Sequence, residues 1–579
     1  MIDGKRAAFP AQYETTPLYS APARSLVLNT TDGTSLRFDF AQPTPLLIQD
    51  DRQWGPDFMV RIGPQMPNSQ VWSGGKPLVL DFTLVAQGGI AVEYDGPITI
   101  AAGADWLPLD LQLEVEAGSA LDFSQLVPWY TPAGKLGRVI ATPDGKMAFT
   151  SRPNEPVRFY GFNMVGTSQY ITHEQADQLA TRLQRLGYNA VRLHHHEGTL
   201  VDRSGGSSTT CKPLELDQLD YFFAALKKRG IYVTTDLYVS RPIYANEVWP
   251  GEKDDVGMDE FKMAVSVNER AFANYKAFAV NLLGHVNPYT GMRWVDDPAL
   301  AWLSLINEGN PGNFTGRMTD RLKKDYTVAW NRWLAERYPT RDALVHALGN
   351  LPADQDPKAG TVALPDGMDD TPTGIQYSLF LTDNQRTFFE RTRAFLRDEM
   401  HCQALLTNLN AWTNPLQLQS LRAQMDYVDD HFYVDHPQFL EQSWQLPSRC
   451  PNTSPVAAGA PGGRNCPFLR LMDRPFTISE YNYSGPGRFR GVGGILTGAL
   501  GAVQDGSIIW RFAYSHSRDN LFTPSIAGSG YFDMATDPLS QAADRASLCL
   551  FRRGDMRPAT HSVAIAMTPA ELMQQPKSA

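Results

Sequence analysis

The residues with most chemistry to offer stand at the ends of short apolar runs. LAWLSLINE (300–308) ends in Asn307-Glu308, FTISEYN (476–482) carries Glu480, and NAVRLHHHE (189–197) closes on Arg192, His194, His195, His196 and Glu197. IYVTTDLY (231–238) ends with Asp236 and Tyr238, and ALLTNLNAW (404–412) with Asn408, Asn410 and Trp412. MDYVDDHFY (425–433) supplies Asp429, Asp430, His431 and Tyr433, and SIIWRFAY (507–514) contains Trp510. If these runs are strands of one closed sheet, Glu308 and Glu480 face each other, and paired carboxylates can divide proton transfer and nucleophilic attack. His194 and His196, at i and i+2 beside Glu197, have a spacing that would suit a metal, but only His431 offers a further His to complete such a site. Strand alternation turns His194 and His196 the same way as Arg192.

A repeated strand–helix texture after Pro156 would position these residues. VRFYGFN (157–163) reads as a strand; Thr172 then caps a helix, with Gln175 at the capping-box position and Ala176, Leu179, Leu183 and Leu186 on one face. Leu216, Leu219, Phe223 and Leu226 form a second stripe that stops at Gly230, and a third helix runs through Phe272, Tyr275, Ala279 and Leu282. LAWLSLINE is apolar on both faces, as a buried parallel strand is. Eight such strands from Val157 onward predict an α/β fold, a (β/α)8 TIM barrel over 151–553, with the polar stretch 339–375 as a surface insertion. A doubly wound nucleotide fold is disfavoured, because no Gly-rich phosphate turn follows any strand.

Residues 1–150 have a different texture. Short alternating runs (SLRFDF, PLVLDFTLV, IAVEYDGPITI, LQLEVEAG) and the Pro-Asp-Gly hairpin of GRVIATPDGKMAFTS predict an N-terminal antiparallel β-sandwich-like accessory domain. Its Trp54, Trp72 and Trp106 serve either packing or carbohydrate binding. Residues 554–579 read as a short C-terminal tail.

Composition narrows the partners. Lys and Arg total 52 against 62 Asp and Glu, a net charge of −10 with no basic block, which excludes nucleic acid as the main partner. A hydrophobic fraction of 42% excludes dominant disorder, and 11% aromatic residues leave rings to spare for a ligand surface. No apolar stretch is long enough for a membrane span, and the first residues lack the regions of a signal peptide. A periplasmic or secreted protein with its signal removed is favoured over a cytoplasmic one. Five cysteines cannot all pair; Cys450 and Cys466 either close the loop between them or remain thiols with the rest. Oligomeric state is not set by the sequence.

Five pieces, in order and each at a strand end, carry a family resemblance: VRL with Arg192, INE with Asn307 and Glu308, HFY with His431 and Tyr433, ISE ending at Glu480, and IIW with Trp510. Over roughly residues 155–550 the chain resembles clan A glycoside hydrolases, most nearly family 5 (cellulase-like). It departs from that family at Tyr238, where a His is usual, and in the His194-His195-His196-Glu197 run. The resemblance implies a retaining β-glycoside hydrolase that cleaves a β-linked glycan or oligosaccharide by double displacement, with carbohydrate as its partner and no cofactor or metal. It implies Glu480 as nucleophile and Glu308 as general acid/base, with Arg192 keeping Glu480 ionised and Asn307 bound to the sugar 2-OH. His431 and Tyr433 would orient the carboxylates, and Trp510 would stack on the sugar. His194, His196, Glu197, Tyr238 and Asn410 would line the substrate. Such chemistry needs carboxyls about 5–5.5 Å apart and a donor whose pKa is raised, which the charge of Glu480 would supply. Two other readings are a carbohydrate-binding pseudoenzyme and a metal-dependent hydrolase built on His194 and His196.

Overall fold

The computed structural model describes the whole chain except residues 30–32, 53–57, 64–78, 89–112, 412–415, 446–447, 451–453, 460–462, 464–465, 486, 524–529, 569–570 and 573–579. Its contacts divide it into two units, Met1–Leu109 with Phe439–Ser448, and Asp110–Gln438 with Arg449–Ala579.

In the first unit, the described residues form a four-stranded antiparallel sheet: Tyr19–Asn29, Ser35–Asp50, Phe58–Ile62 and Phe82–Gln87, with the long second strand pairing the other three. Its apolar face buries Leu26, Phe40, Leu46 and Ile48 around Ile2. The run IAVEYDGPITI and Trp54, Trp72 and Trp106 lie outside the described residues.

The second unit is a (β/α)8 barrel. All eight expected runs are parallel strands: β1 (Phe159–Val165), β2 (Ala190–His194), β3 (Tyr232–Asp236), β4 (Leu300–Ser304), β5 (Leu405–Thr407), β6 (Val428–Val434), β7 (Phe476–Tyr483) and β8 (Ile508–Ser515). They pair in chain order, and β8 returns to β1 with Ile508 opposite Phe159. Asp426 N donates to Leu406 O (3.0 Å) and Thr407 Oγ1 to Tyr427 O (3.0 Å), which joins β5 to the approach of β6 and closes the ring. Every residue of β1 to β4 is buried, as expected of parallel strands covered on both faces.

The helices begin and end where their caps dictate. α1 (His173–Leu186) opens on a capping box: Thr172 Oγ1 accepts from Gln175 N (3.2 Å) and Gln175 Oε1 from Thr172 N (3.0 Å). α2 (Pro213–Lys228) is followed by Gly230 at φ +77°, a left-handed position that Gly takes at little cost. α3 (Glu269–Leu283) follows β3 after a long connection.

The hairpin Val139–Ala141/Met147–Phe149 packs against the N-terminal end of the barrel rather than standing apart. Met147 Sδ accepts from Trp302 Nε1 (3.3 Å), and Phe149 lies 6.1 Å from Phe159 and 5.7 Å from Tyr232, ring to ring. Burying two such side chains contributes about 1.5–3 kcal/mol each. The opposite, C-terminal end is left open to build a site. All five cysteines are free thiols, Cys450 and Cys466 included. Among the described residues no helix is long and apolar enough to cross a membrane.

Candidate active site

Arg192, buried at 1% exposure near the end of β2, ties four strand ends together. Its Nη1 donates to Glu480 Oε1 (2.6 Å) and Asn163 Oδ1 (3.2 Å), and its Nη2 to Asp236 Oδ1 (2.8 Å) and Asn307 Oδ1 (2.8 Å). The planar fork of a guanidinium suits this double grip, and two carboxylates repay the cost of taking one cation out of water. Burial alone would raise the Asp236 pKa, but Arg192 and His194 hold the carboxyl well below its usual range. His194 donates from Nδ1 to Asp236 Oδ2 (2.7 Å), and its Nε2 lies 3.2 Å from Glu480 Oε1. Burial, then the charge of Arg192, pushes the His194 pKa well below that of an ordinary imidazole.

A bulge aims Glu480. Asp430 pairs with Ile478 but His431 with Glu480, so Ser479 is one residue too many on β7. A bulge re-aims the side chains beside it, and here both Ser479 and Glu480 reach the centre. Tyr433 Oη donates to Glu480 Oε2 (2.8 Å). His431 Nε2 donates to Ser479 Oγ (2.8 Å), whose hydroxyl in turn donates to Asp429, while His431 Nδ1 donates to Glu308 Oε1 (3.1 Å) and lies 3.5 Å from Glu480 Oε2. Burial would lower the His431 pKa, yet Glu480, Glu308 and Asp429 around it raise it. The raised pKa and an acceptor at each ring nitrogen favour the imidazolium form of His431 between the two glutamates.

Glu308 is held differently. It lies beyond β4 with φ +49°, and its backbone N donates to Asn410 Oδ1 (2.7 Å), fixing a left-handed conformation that costs a non-glycine residue about 1–3 kcal/mol. His195 (φ +46°) and Leu409 (φ +58°), beyond β2 and β5, share this strain at the same barrel end. The Glu308 side chain is 41% exposed, that of Glu480 only 5%. Oxygens of the two carboxylates and His431 Nδ1 lie within 4.8 Å of one another, a trio that could also ligate a cation if it gave up the His431–Glu308 bond. The expected rise in the Glu308 pKa is not found. Partial burial does raise it, but the hydrogen bond and charge of His431, with Lys262 adding to them, hold it down to about 2.

Several expected contacts are not made. Trp510 is a core residue, 1% exposed, with its ring edge-on to Trp302 at 5.4 Å; it is not a platform at the mouth. β8 runs on to Ser515, so the aromatic that this strand brings to the site is Phe512, 5.8 Å from His194 and 6.0 Å from Tyr433 by ring centres, and its peptide bond to Ala513 is cis. The left-handed turn at His195 breaks the alternation, so His196 does not accompany His194: it is buried over Phe278 of α3 with both ring nitrogens unbonded. The alternative of a metal site built on His194 and His196 is therefore not assembled. Glu197 is buried and accepts from Val239 N and Ser240 N (2.9 Å each), tying β2 to the β3 loop; burial pushes its pKa up to about 7. Tyr238, also buried, packs on Phe261 at 4.6 Å and donates to Met258 O (3.4 Å), away from the carboxylates. Asn410 contacts Glu308 through its backbone, as a positioning group. Conversely, Asp236, Asp429, Asn163 and Ser479 belong to the network without having been assigned a part. Asp236 and Asp429 were visible at strand ends; the bulge that recruits Ser479 leaves no mark in a single sequence.

No protein-family model matches the chain, and no curated protein matches it. Among solved structures it is similar to the endo-1,4-β-mannanase from Rhizomucor miehei, at 11% identity over 72% of this chain and 99% of that one (TM-score 0.44). It is similar to the hyperthermostable endo-1,4-β-D-mannanase from Thermotoga petrophila RKU-1 at 15% identity over 68% and 100% (TM-score 0.41). A polyextremophilic β-galactosidase from the Antarctic haloarchaeon Halorubrum lacusprofundi is similar at 14% identity over 68% and 58% (TM-score 0.47). These likenesses are distant, and the barrel is established by its own strand pairing.

Proposed function

We propose that this chain is a retaining β-glycoside hydrolase, with Glu480 as nucleophile and Glu308 as general acid/base. The observation that carries the reading is the approach of the two carboxylates, oxygen to oxygen, within 4.8 Å. So close an approach supports a double-displacement pair, whose carboxyls stand about 5–5.5 Å apart, over an inverting pair held wider by a water.

In the first step Glu480 attacks the anomeric carbon, the bond to the leaving group breaks, and the leaving oxygen takes a proton from Glu308. In the free enzyme that proton resides on His431, which passes it along its 3.1 Å hydrogen bond as Glu308 donates. In the second step Glu308 takes a proton from water and hands it back to His431 along the same hydrogen bond, the hydroxide attacks the anomeric carbon, and Glu480 leaves as a carboxylate, which restores the free enzyme. Arg192 and Tyr433, bonded to its two oxygens, stabilise the charge that returns there. Asn307 Oδ1 already accepts from Arg192 and Asn410 Nδ2 (3.4 Å), so its amide NH2 is the group turned to the sugar.

The test is kinetic. Glu308→Ala should retain turnover of aryl glycosides with good leaving groups, and azide should accelerate it by trapping the glycosyl-enzyme. Hydrolysis of poor leaving groups that survives Glu308→Ala undiminished would remove Glu308 from the role.

A further inference from the structure

Lys262 lies on the short helix Met258–Ala264 in the connection from β3 to α3, with its side chain 2% exposed. Its one ion pair among the described residues is long, 3.9 Å to Asp259, and Asp259 is shared with Arg317 at 3.7 Å. The ammonium sits 5.7 Å from the centre of the Phe314 ring and, among the described residues, donates no side-chain hydrogen bond. Phe314 is half-buried on the loop that begins with Glu308, and the charge of Lys262 acts on both Glu308 and His195. His195 is bonded at Nδ1 to Ser240 (2.7 Å), and its Nε2 has no hydrogen-bond partner among the described residues.

A nearly buried ammonium with so weak a partner is costly in the free protein, and a bound anion would return that cost. The neighbouring groups define where the anion sits. Glu308 is the more exposed carboxylate and, as the proton donor, faces the leaving group; Phe314 belongs to the loop that carries Glu308, and Lys262 to the connection after the neighbouring strand β3. An aromatic ring offers a sugar its flat face, and the ammonium beside it meets a charged substituent on that sugar.

We infer that the leaving-group subsite beside Glu308 takes an anionic sugar unit, carrying a carboxylate or a sulfate ester, through Lys262 and Phe314. This rests on the hydrolase reading above and names the substrate class for its second subsite.

The experiment compares matched β-linked disaccharides whose reducing-end unit differs only at C6: hydroxymethyl, carboxylate or 6-sulfate. The wild type is expected to favour one anionic member by about 10- to 100-fold in kcat/KM, expressed in KM, and the preference should shrink as salt is added. Which member is favoured separates a uronic acid from a sulfated sugar. Lys262→Met should bring the ratio close to one, whereas Lys262→Arg should keep most of it. If Lys262→Met does not fold, the wild-type ratio, its salt dependence and Lys262→Arg still decide. Turnover of aryl glycosides with no anionic preference in the wild type, or a preference that survives Lys262→Met, overturns this inference and leaves the hydrolase reading standing. Failure to turn over any aryl glycoside or disaccharide overturns the hydrolase reading, and the subsite with it.

Discussion

The two carboxylates of the site are built in opposite ways. Glu480 sits within a strand, 5% exposed, gripped by Arg192 and Tyr433 through both oxygens. Glu308 stands on a strained turn beyond its strand, 41% exposed, touched by His431 on one oxygen and anchored by its backbone to Asn410. One arrangement suits a group that must stay ionised and fixed; the other suits a group that must gain and lose a proton and reach a leaving group. On the proposed roles, two residues of the same type would acquire different chemistry from burial and bonding.

The contrast can be broken from either side. Glu480→Gln should cost on the order of 10⁴-fold or more in kcat on any glycoside, because no neighbouring group can replace a missing nucleophile; near-normal rates would end the assignment. Asp236→Ala leaves Arg192 buried with one carboxylate where it had two, and should cost about 3–5 kcal/mol in urea unfolding at neutral pH. The Asp236 pKa is depressed by folding, so its contribution is complete above the ordinary carboxylate range and fades only as strongly acid conditions protonate it. The stability gap between parent and variant should therefore close at low pH; a gap independent of pH would mean that packing, not charge, was lost.

On the Glu308 side the effects are finer. His431 has a raised pKa, so the proton it shares with Glu308 is retained to higher pH than an ordinary imidazole would keep it. The alkaline limb of kcat/KM should lie above the usual histidine value and move to lower pH in His431→Asn, where Glu308 alone holds the proton. A limb that stays in place would show that His431 is not the store. Asn410→Ala removes one hydrogen bond from the strained Glu308 backbone and should lower kcat about tenfold with little change in KM. A change in KM alone would instead make Asn410 a substrate contact.

Strand ends proved the most legible feature of this sequence, because a run apolar on both faces followed by polar residues marks a buried parallel strand and its mouth. Arg192, Asn307, Glu308, His431, Tyr433 and Glu480 were all picked out this way, and they are joined through a single hydrogen-bond network. Errors arose where local geometry departs from simple alternation. A left-handed residue at His195 sends His196 and Glu197 away from the centre, and β8 continues past Trp510, which leaves that ring in the core and brings Phe512 forward. The depressed pKa of Glu308 was not readable either, since it depends on an imidazolium lying between two carboxylates distant in sequence.

The central claim, that Glu480 forms a covalent bond to the sugar while Glu308 manages the proton, is tested most directly by trapping. An activated 2-deoxy-2-fluoro-β-glycoside of a sugar the enzyme accepts should inactivate it with burst release of one aglycone, and peptide mass spectrometry should find the fluoroglycosyl group on Glu480. Turnover of the parent aryl glycoside with inversion at the anomeric carbon, or a label on any other residue, would contradict the account.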